Sequence, residues 1–154
     1  MKEKIEVKVK HVGNVKNKAE ISPYYATSGA AGADIYACID EEISIKPGER
    51  VRIPTGIAIE LPSSNVVALL FARSGLAAKQ GLALSNGVGV IDSDYRGEIG
   101  VLITNFGQED VIIKNGERIA QMLFVEVALA SFVLVNELGD TERGSGGFGS
   151  TGLS

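Results

Sequence analysis

From Ile5 to Leu138 the chain is cut into short blocks, each closed by turn residues, in which apolar and polar residues alternate or apolar residues run together. Alternation with a period of two puts every second side chain on one face of a strand, and such a face is buried only by pairing and stacking with other strands. Ile5 to Val12, Asp34 to Ile39, Ile43 to Ile45, Val51 to Ile53 and Gly56 to Leu61 read this way, with Lys46-Pro47-Gly48-Glu49 as one of the intervening turns. Val66 to Ala72 is continuously apolar, as suits a strand buried on both faces. Glu98 to Asn105, Asp110 to Ile113, Arg118 to Ala128 and Ser131 to Leu138 complete the series. One segment favours helix, Ser74 to Gln80, where Ser74 can cap, Leu76 to Lys79 are good helix formers and Gly81 can terminate, giving about two turns. Many short strands with one short helix predict an all-β subunit, a jelly roll or distorted β-barrel, formed by residues 1–138.

Composition bounds the rest. The 154 residues, 45% hydrophobic and 22% charged, suffice for one domain with a sizeable core and leave no room for a second. A net charge of −4 argues against a broad electrostatic footprint for nucleic acid or an anionic membrane, although a few arginines can still hold a phosphate. Cys38 is the single cysteine and His11 the single histidine, so an intramolecular disulfide and a zinc-type Cys/His cluster are both excluded. The start runs from Met1-Lys2-Glu3-Lys4 into alternating Ile5, Val7 and Val9 rather than an apolar block, and no uncharged run approaches the roughly 18 residues of a membrane span. A soluble, cytoplasmic protein is expected.

Gly139 to Ser154 changes character, with five glycines between 144 and 152 and no apolar periodicity. Gly144-Ser145-Gly146-Gly147-Phe148-Gly149 satisfies the spacing of a dinucleotide fingerprint, but that motif follows a strand and opens a long helix, and only five residues remain. The alternatives are a disordered tail and a flexible arm that orders over a ligand. Arg143 and Phe148 favour the arm, since an arginine can clamp a phosphate and an aromatic ring can stack on a base.

The richest stretch is Asn86 to Glu98. Val88, Val90 and Ile91 lead in and Ile99, Val101 and Ile103 lead out with period two, so Asp92 to Gly97 is expected to close a hairpin. Asp, Ser and Gly suit a turn, whereas Tyr95 and Arg96 are not needed for one. A solvated loop is the plain reading, and a binding loop the alternative.

Five stretches in order resemble the trimeric dUTPase family: Ala31 to Ala37, Ala72-Arg73-Ser74-Gly75-Leu76, Asn86 to Gly97, Gly116-Glu117-Arg118-Ile119-Ala120-Gln121, and Arg143 to Gly149. The resemblance spans nearly the whole chain; Ala72 departs from a position that is often proline in the family. It implies hydrolysis of dUTP to dUMP and pyrophosphate, which limits uracil in DNA and supplies dUMP, by a homotrimer with shared active sites. It assigns uracil to Asn86 and the backbone around Gly89, Val90 and Ile91, and the deoxyribose to the ring of Tyr95. Asp92 would be the general base that takes a proton from the attacking water, with Gln121 beside that water and the phosphates. Arg73, Ser74 and Gly75 would hold the phosphate chain, Arg143 the γ-phosphate, and Phe148 and Gly149 would close over the base. Asp34 would help hold Mg²⁺ through bound water, the metal lying mainly on the triphosphate.

Each residue has a plainer role beside this one. Asp92 can be a turn former, Ser74 a helix cap, Tyr95 surface cover, Gly87 and Gly89 a bulge, and Asp34 a cap on a strand entry. Asp94, Arg96 and Glu98 are expected to be structural, as partners in ion pairs. The related dCTP deaminase and a non-catalytic nucleotide-sensing module are the rival functions. Asp92, Tyr95 and the Arg143 to Gly149 arm weigh against the first, and Asp92 and the arm against the second.

Overall fold

The computed structural model describes residues 4–13 and 21–147. Phe148 and Gly149 lie outside the described residues. Eleven strands and one helix are described: β1 (Lys8–His11), β2 (Ala33–Tyr36), β3 (Ile43–Ile45), β4 (Arg50–Pro54), β5 (Ile57–Glu60), β6 (Val66–Ala72), α1 (Ser74–Gln80), β7 (Leu82–Leu84), β8 (Gly89–Ile91), β9 (Gly100–Asn105), β10 (Val111–Ile113) and β11 (Arg118–Glu126). All pairings are antiparallel and build four small sheets, ordered β2-β11-β6-β8, β4-β9-β7, β1-β5 and β10-β3. This is the all-β jelly-roll arrangement that the alternating blocks predict.

The core that the sheets enclose is rich in isoleucine: Ile35, Ile45, Ile53, Ile57, Ile99, Ile103, Ile113 and Ile119 are essentially buried, with Met122 among them. Branching at Cβ stiffens these side chains and suits the pleated surface, so inward positions of the strands fill the interior with few rotamers to lose. One buried polar side chain, Asn105, is fully engaged. Its amide donates to the carbonyls of Ile45 and Glu109, both at 2.8 Å, and its oxygen accepts from Gly107 N–H at 2.8 Å. It thereby ties the end of β9 to β3 and to the turn that follows.

β11 is the spine of the site-bearing sheet. It pairs with β6 along seven residues, from Ala120↔Ala72 to Glu126↔Val66, and with β2 on its other side. A register shift between Arg118 and Ala120 interrupts the second pairing. α1 leaves β6 directly, and Gly81 closes it in the left-handed region at φ 69°, its N–H returning to Ala77 O at 3.1 Å. Gly81 also packs where a Cβ would stand 2.8 Å from Gly107 Cα, so space and backbone angle both call for glycine.

The structure departs from the sequence expectations in four places. β8 pairs with β6, and β9 with β4 and β7, so residues 92–97 pass from one sheet to another instead of closing a hairpin. β7 was not anticipated; Leu82-Ala83-Leu84 is apolar throughout and shows no alternation. Ser131 to Leu138 forms no strand: β11 is followed by a backbone bond from Val127 N–H to Asn65 O, and Leu129, Phe132, Leu134 and Leu138 are 84–101% exposed. The helix cap position belongs to Arg73, in extended conformation and without a side-chain cap bond, and Ser74 is the first helical residue. Among the described residues no helix is long and apolar enough to cross a membrane.

Candidate active site

Two groups of the residues singled out above come together, in two different clefts. The first forms where β2, β11 and the end of β6 lie side by side. In the β2–β11 register Gln121 stands opposite Asp34, and on its other side Gln121 faces Phe71, one residue before Ala72 and two before Arg73. Asp34, mostly buried, is held by its backbone in an isolated bridge to Tyr24 and by its side chain between two arginines. Arg73 Nε lies 3.2 Å from Asp34 Oδ1, and Arg118 Nη1 lies 3.2 Å from Oδ2. Arg73 Nη1 donates in addition to the Arg118 carbonyl at 3.2 Å.

Two guanidiniums thus share one carboxylate, leaving the group with an excess of one positive charge, suited to an anion. Gln121 Nε2 donates to Ala72 O at 3.1 Å, which answers the question of what partners a polar amide inside an apolar strand. A Cβ on Gly32 would stand 3.0 Å from Gln121 Oε1, so the Gly-Ala-Asp segment leaves room for that amide. The cleft here, about 600 Å³, is lined by Tyr24, Asp34, Tyr36, Arg73 and Arg118 among others. Ser74 and Gly75 follow Arg73 in the first turn of α1 and are exposed.

The second cleft, about 370 Å³, lies between β8 and β9. Asn86, Gly89, Val90, Ile91, Asp92 and Tyr95 line it, which are the base, sugar and general-base residues expected from the sequence. β8 pairs only with β6 and ends its sheet, so the outer main-chain groups of Gly89 to Ile91 face away from the ladder. Gly89 is buried against Leu70, whose Cβ would lie 3.0 Å from a Cβ at this position. It therefore serves close packing between β8 and β6 and is not a bulge.

Asp92 is exposed at the start of the crossing loop, where its main-chain carbonyl, not its carboxylate, accepts the turn bond from Tyr95 N–H at 3.1 Å. Tyr95 lies back across Gly97, and its Oη donates to Glu98 O at 3.1 Å. Arg96 Nη1 donates to the carbonyls of Ser93 and Tyr95 at 2.8 and 3.1 Å, and Glu98 Oε1 accepts from Gly56 N–H at 2.9 Å. The ion pairs expected of Asp94, Arg96 and Glu98 do not form among the described residues; the Arg96 and Glu98 side chains bond the backbone instead.

The two clefts have no lining residue in common. Arg143 lies in neither. Its Nε donates to Gly146 O at 3.1 Å and Gly146 N–H returns to Arg143 O at 3.1 Å, a turn internal to the C-terminal stretch. Among the described residues no group of three or more His, Cys, Asp and Glu is placed to hold a metal ion. Sequence reasoning did not single out Arg118 or Arg52, and gave Glu98 only a structural role. Arg118 lay inside a quoted motif and opened an apolar strand, which was a usable signal, whereas Arg52 reads as an ordinary outward residue of an alternating strand.

Comparison with known proteins gives the same direction. The family model described as dUTPase matches residues 18–152. The deoxyuridine 5'-triphosphate nucleotidohydrolase of Desulfitobacterium hafniense is 58% identical over 150 residues, covering 97% of this chain and 98% of that protein. The protein of the same name from Neisseria meningitidis is 48% identical over 149 residues, with the same coverage. Among solved structures, a mutant dUTPase of Staphylococcus bacteriophage 80alpha with dUpNHpp superimposes with a TM-score of 0.79 at 28% identity, over 96% of this chain and 99% of that one. The Streptococcus mutans dUTPase does so with a TM-score of 0.73 at 31% identity, over 80% and 98%. On sequence over nearly its whole length and on fold alike, the chain belongs to the dUTPase family.

Proposed function

We propose that the chain hydrolyses dUTP to dUMP and pyrophosphate, by attack of water on the α-phosphorus. The observation that carries this reading is the cleft beside β8, where edge-strand backbone, the Asn86 amide, the Asp92 carboxylate and the Tyr95 ring line one volume. Outward peptide groups at fixed spacing match the donor and acceptor edge of a pyrimidine, and a narrow slot excludes a 5-methyl group by volume. Tyr95 faces the sugar and disfavours a 2′-hydroxyl. Asp92, at the mouth of the loop, takes the proton from the attacking water, a contribution of about 10² to 10⁴ in rate.

The phosphate chain belongs with the other cleft, where Arg73 and Arg118 supply charge; next to Arg73 in the chain, Ser74 and Gly75 offer the N–H groups of the first helical turn, and Gln121, opposite Asp34, orients an oxygen. Asp34 and its surroundings are not a cage for a bare cation. They do fit Mg²⁺ that arrives on the triphosphate, because each Asp34 oxygen gives one lone pair to an arginine and retains another for a metal-bound water. When bound, Mg²⁺ orients the triphosphate and neutralises charge on it.

Base-side and phosphate-side residues occupy separate clefts of one chain, which supports a complete site made between copies, and a homotrimer is the assembly we infer. The exposed apolar row from Val127 to Leu138 supports the same conclusion, since a monomer gains nothing from holding it in water. In this reading residues 1–138 form the domain, and residues 139–154 are an arm that closes over bound nucleotide with Arg143 and Phe148. The enzyme acts on free nucleotide in the cytoplasm and binds no nucleic acid directly.

The test is release of pyrophosphate and of ammonia from dUTP, UTP, dTTP and dCTP with Mg²⁺ present. Pyrophosphate from dUTP alone is expected. Ammonia from dCTP would assign the related deaminase chemistry, and tight dUTP binding without turnover would assign a sensing module.

A further inference from the structure

The crossing loop at residues 92–97 carries both Asp92 and Tyr95, yet little within the loop fixes where the Tyr95 ring points. The ring is 46% exposed, and its phenol rests on one acceptor, the Glu98 carbonyl. That carbonyl is held unusually well. Arg52 Nη2 donates to the same oxygen at 3.2 Å, and the Arg52 guanidinium lies across Gly100, where a Cβ would stand 2.6 Å from Cζ. The Glu98 side chain turns the other way, and its Oε1 accepts Gly56 N–H at 2.9 Å.

Gly56 is itself immovable. It adopts φ +67°, and a Cβ there would stand 2.7 Å from Cys38 Sγ and 2.8 Å from Ile21 Cδ1. The next residue is fastened to the same turn, because Ile99 O accepts from both Thr55 N–H, at 3.2 Å, and buried Thr55 Oγ1, at 2.6 Å. Ile99 N–H closes the set by donating to Ile57 O at 2.9 Å. Residues 98 and 99 are therefore stapled to the turn between β4 and β5, deep in the core, and the loop hangs from that staple.

We propose that Glu98, with Arg52, is a positioning residue for sugar selection: together they fix the carbonyl on which the Tyr95 phenol rests, and so set the orientation of the ring. The inference rests on the reading of Tyr95 as the wall that faces the sugar. Neither Glu98 nor Arg52 need touch the nucleotide. Their effect is felt in the ratio of dUTP to UTP hydrolysis, because a ring free to swing admits a 2′-hydroxyl that a fixed ring excludes.

The experiment measures kcat and KM for dUTP and for UTP, with the thermal midpoint, in the full-length enzyme and in Tyr95→Ala, Tyr95→Phe, Glu98→Ala and Glu98→Gln. Tyr95→Ala should narrow the ratio of the two kcat/KM values most. Tyr95→Phe, which loses only the phenol bond, and Glu98→Ala, which loses the anchor, should each narrow it by about 3- to 10-fold, the effect of one net hydrogen bond. Glu98→Gln should restore it, since an amide oxygen still accepts from Gly56 N–H.

If Tyr95→Ala narrows the ratio while Tyr95→Phe and Glu98→Ala leave it intact, the brace is refuted and the reading of Tyr95 stands. If Tyr95→Ala leaves the ratio intact, both fall. Failure of Glu98→Gln to restore it also refutes the brace, because charge and not the acceptor would then be responsible. Should Glu98→Ala not fold, Tyr95→Phe decides, its exposed ring contributing little to the core.

Discussion

Asp34→Asn separates two roles that one carboxylate could have. With its side chain 12% exposed, Asp34 bonds Arg73, 27% exposed, and Arg118, 48% exposed. The Arg118 pair is half in water and belongs in the surface range of about 0.2–1 kcal/mol. The Arg73 pair is better shielded, and a hydrogen bond to a charged group there is worth about 1.5–3 kcal/mol. Asn keeps one acceptor oxygen but turns an N–H₂ toward the other guanidinium, so about 2 kcal/mol should be lost. For a chain of this length that is a fall of about 4–8 °C in thermal midpoint, read by calorimetry without nucleotide. Arg73, no longer oriented, should also raise KM for dUTP by about tenfold, which corresponds to about 1.4 kcal/mol of binding. A midpoint unchanged within about a degree, together with a raised Mg²⁺ requirement, would refute the anchoring argument and leave Asp34 a holder of metal-bound water alone.

Other perturbations probe the remaining parts. Asp92→Asn should bind dUTP normally and lose about two orders of magnitude or more in turnover; near-normal turnover in a pyrophosphate assay would remove Asp92 from the mechanism. Deleting residues 139–154 removes no strand among the described residues, so oligomer mass and melting should hold while dUTP hydrolysis collapses, and surviving turnover would reduce the arm to a tail. Burial first, and then the Glu98 and Asp40 carboxylates, raise the Cys38 thiol above its ordinary value. Its alkylation by iodoacetamide should lag a small-molecule thiol near pH 8 and gain on it as pH rises, equal rates being the contrary result. By linkage, a raised folded pKa gives stability that is present below the unfolded pKa and lost as pH climbs through the folded one, so alkali should weaken the fold here.

What the sequence made legible follows the range of the interactions involved. β6 and α1 appeared with their observed limits, Val66–Ala72 and Ser74–Gln80, because an apolar run, good helix formers and a terminating glycine are all local signals. The crossing loop was misjudged because Asp, Ser and Gly serve a turn equally well whether the flanking strands pair with each other or with strands elsewhere. Only the partners, β6 for β8 and β4 with β7 for β9, distinguish the two. Ser131 to Leu138 has the composition of a strand but no ladder among the described residues, and apolar content cannot say whether a partner exists. Of the residues singled out, Asp34 lies beside Arg73 and opposite Gln121, and Asn86, Gly89 and Tyr95 line one cleft. That they form two clefts, and that Arg118 shares Asp34, depends on register and on a register shift between strands distant in sequence.

The ribbon after β11 has a consequence for how the protein comes to exist in a cell. Leu129, Phe132, Leu134 and Leu138 are each more than four-fifths exposed, and burying one such side chain is worth about 1.5–3 kcal/mol. In the proposed homotrimer that free energy is withheld until another copy arrives, so it would enter as mass action and scale with the logarithm of protomer concentration. A freshly made chain at low abundance is thus a finished barrel trailing a sticky thread, and dilution should loosen the protein well before heat does. In that assembly production rate and durability would be linked, each copy made adding to the stability of the others.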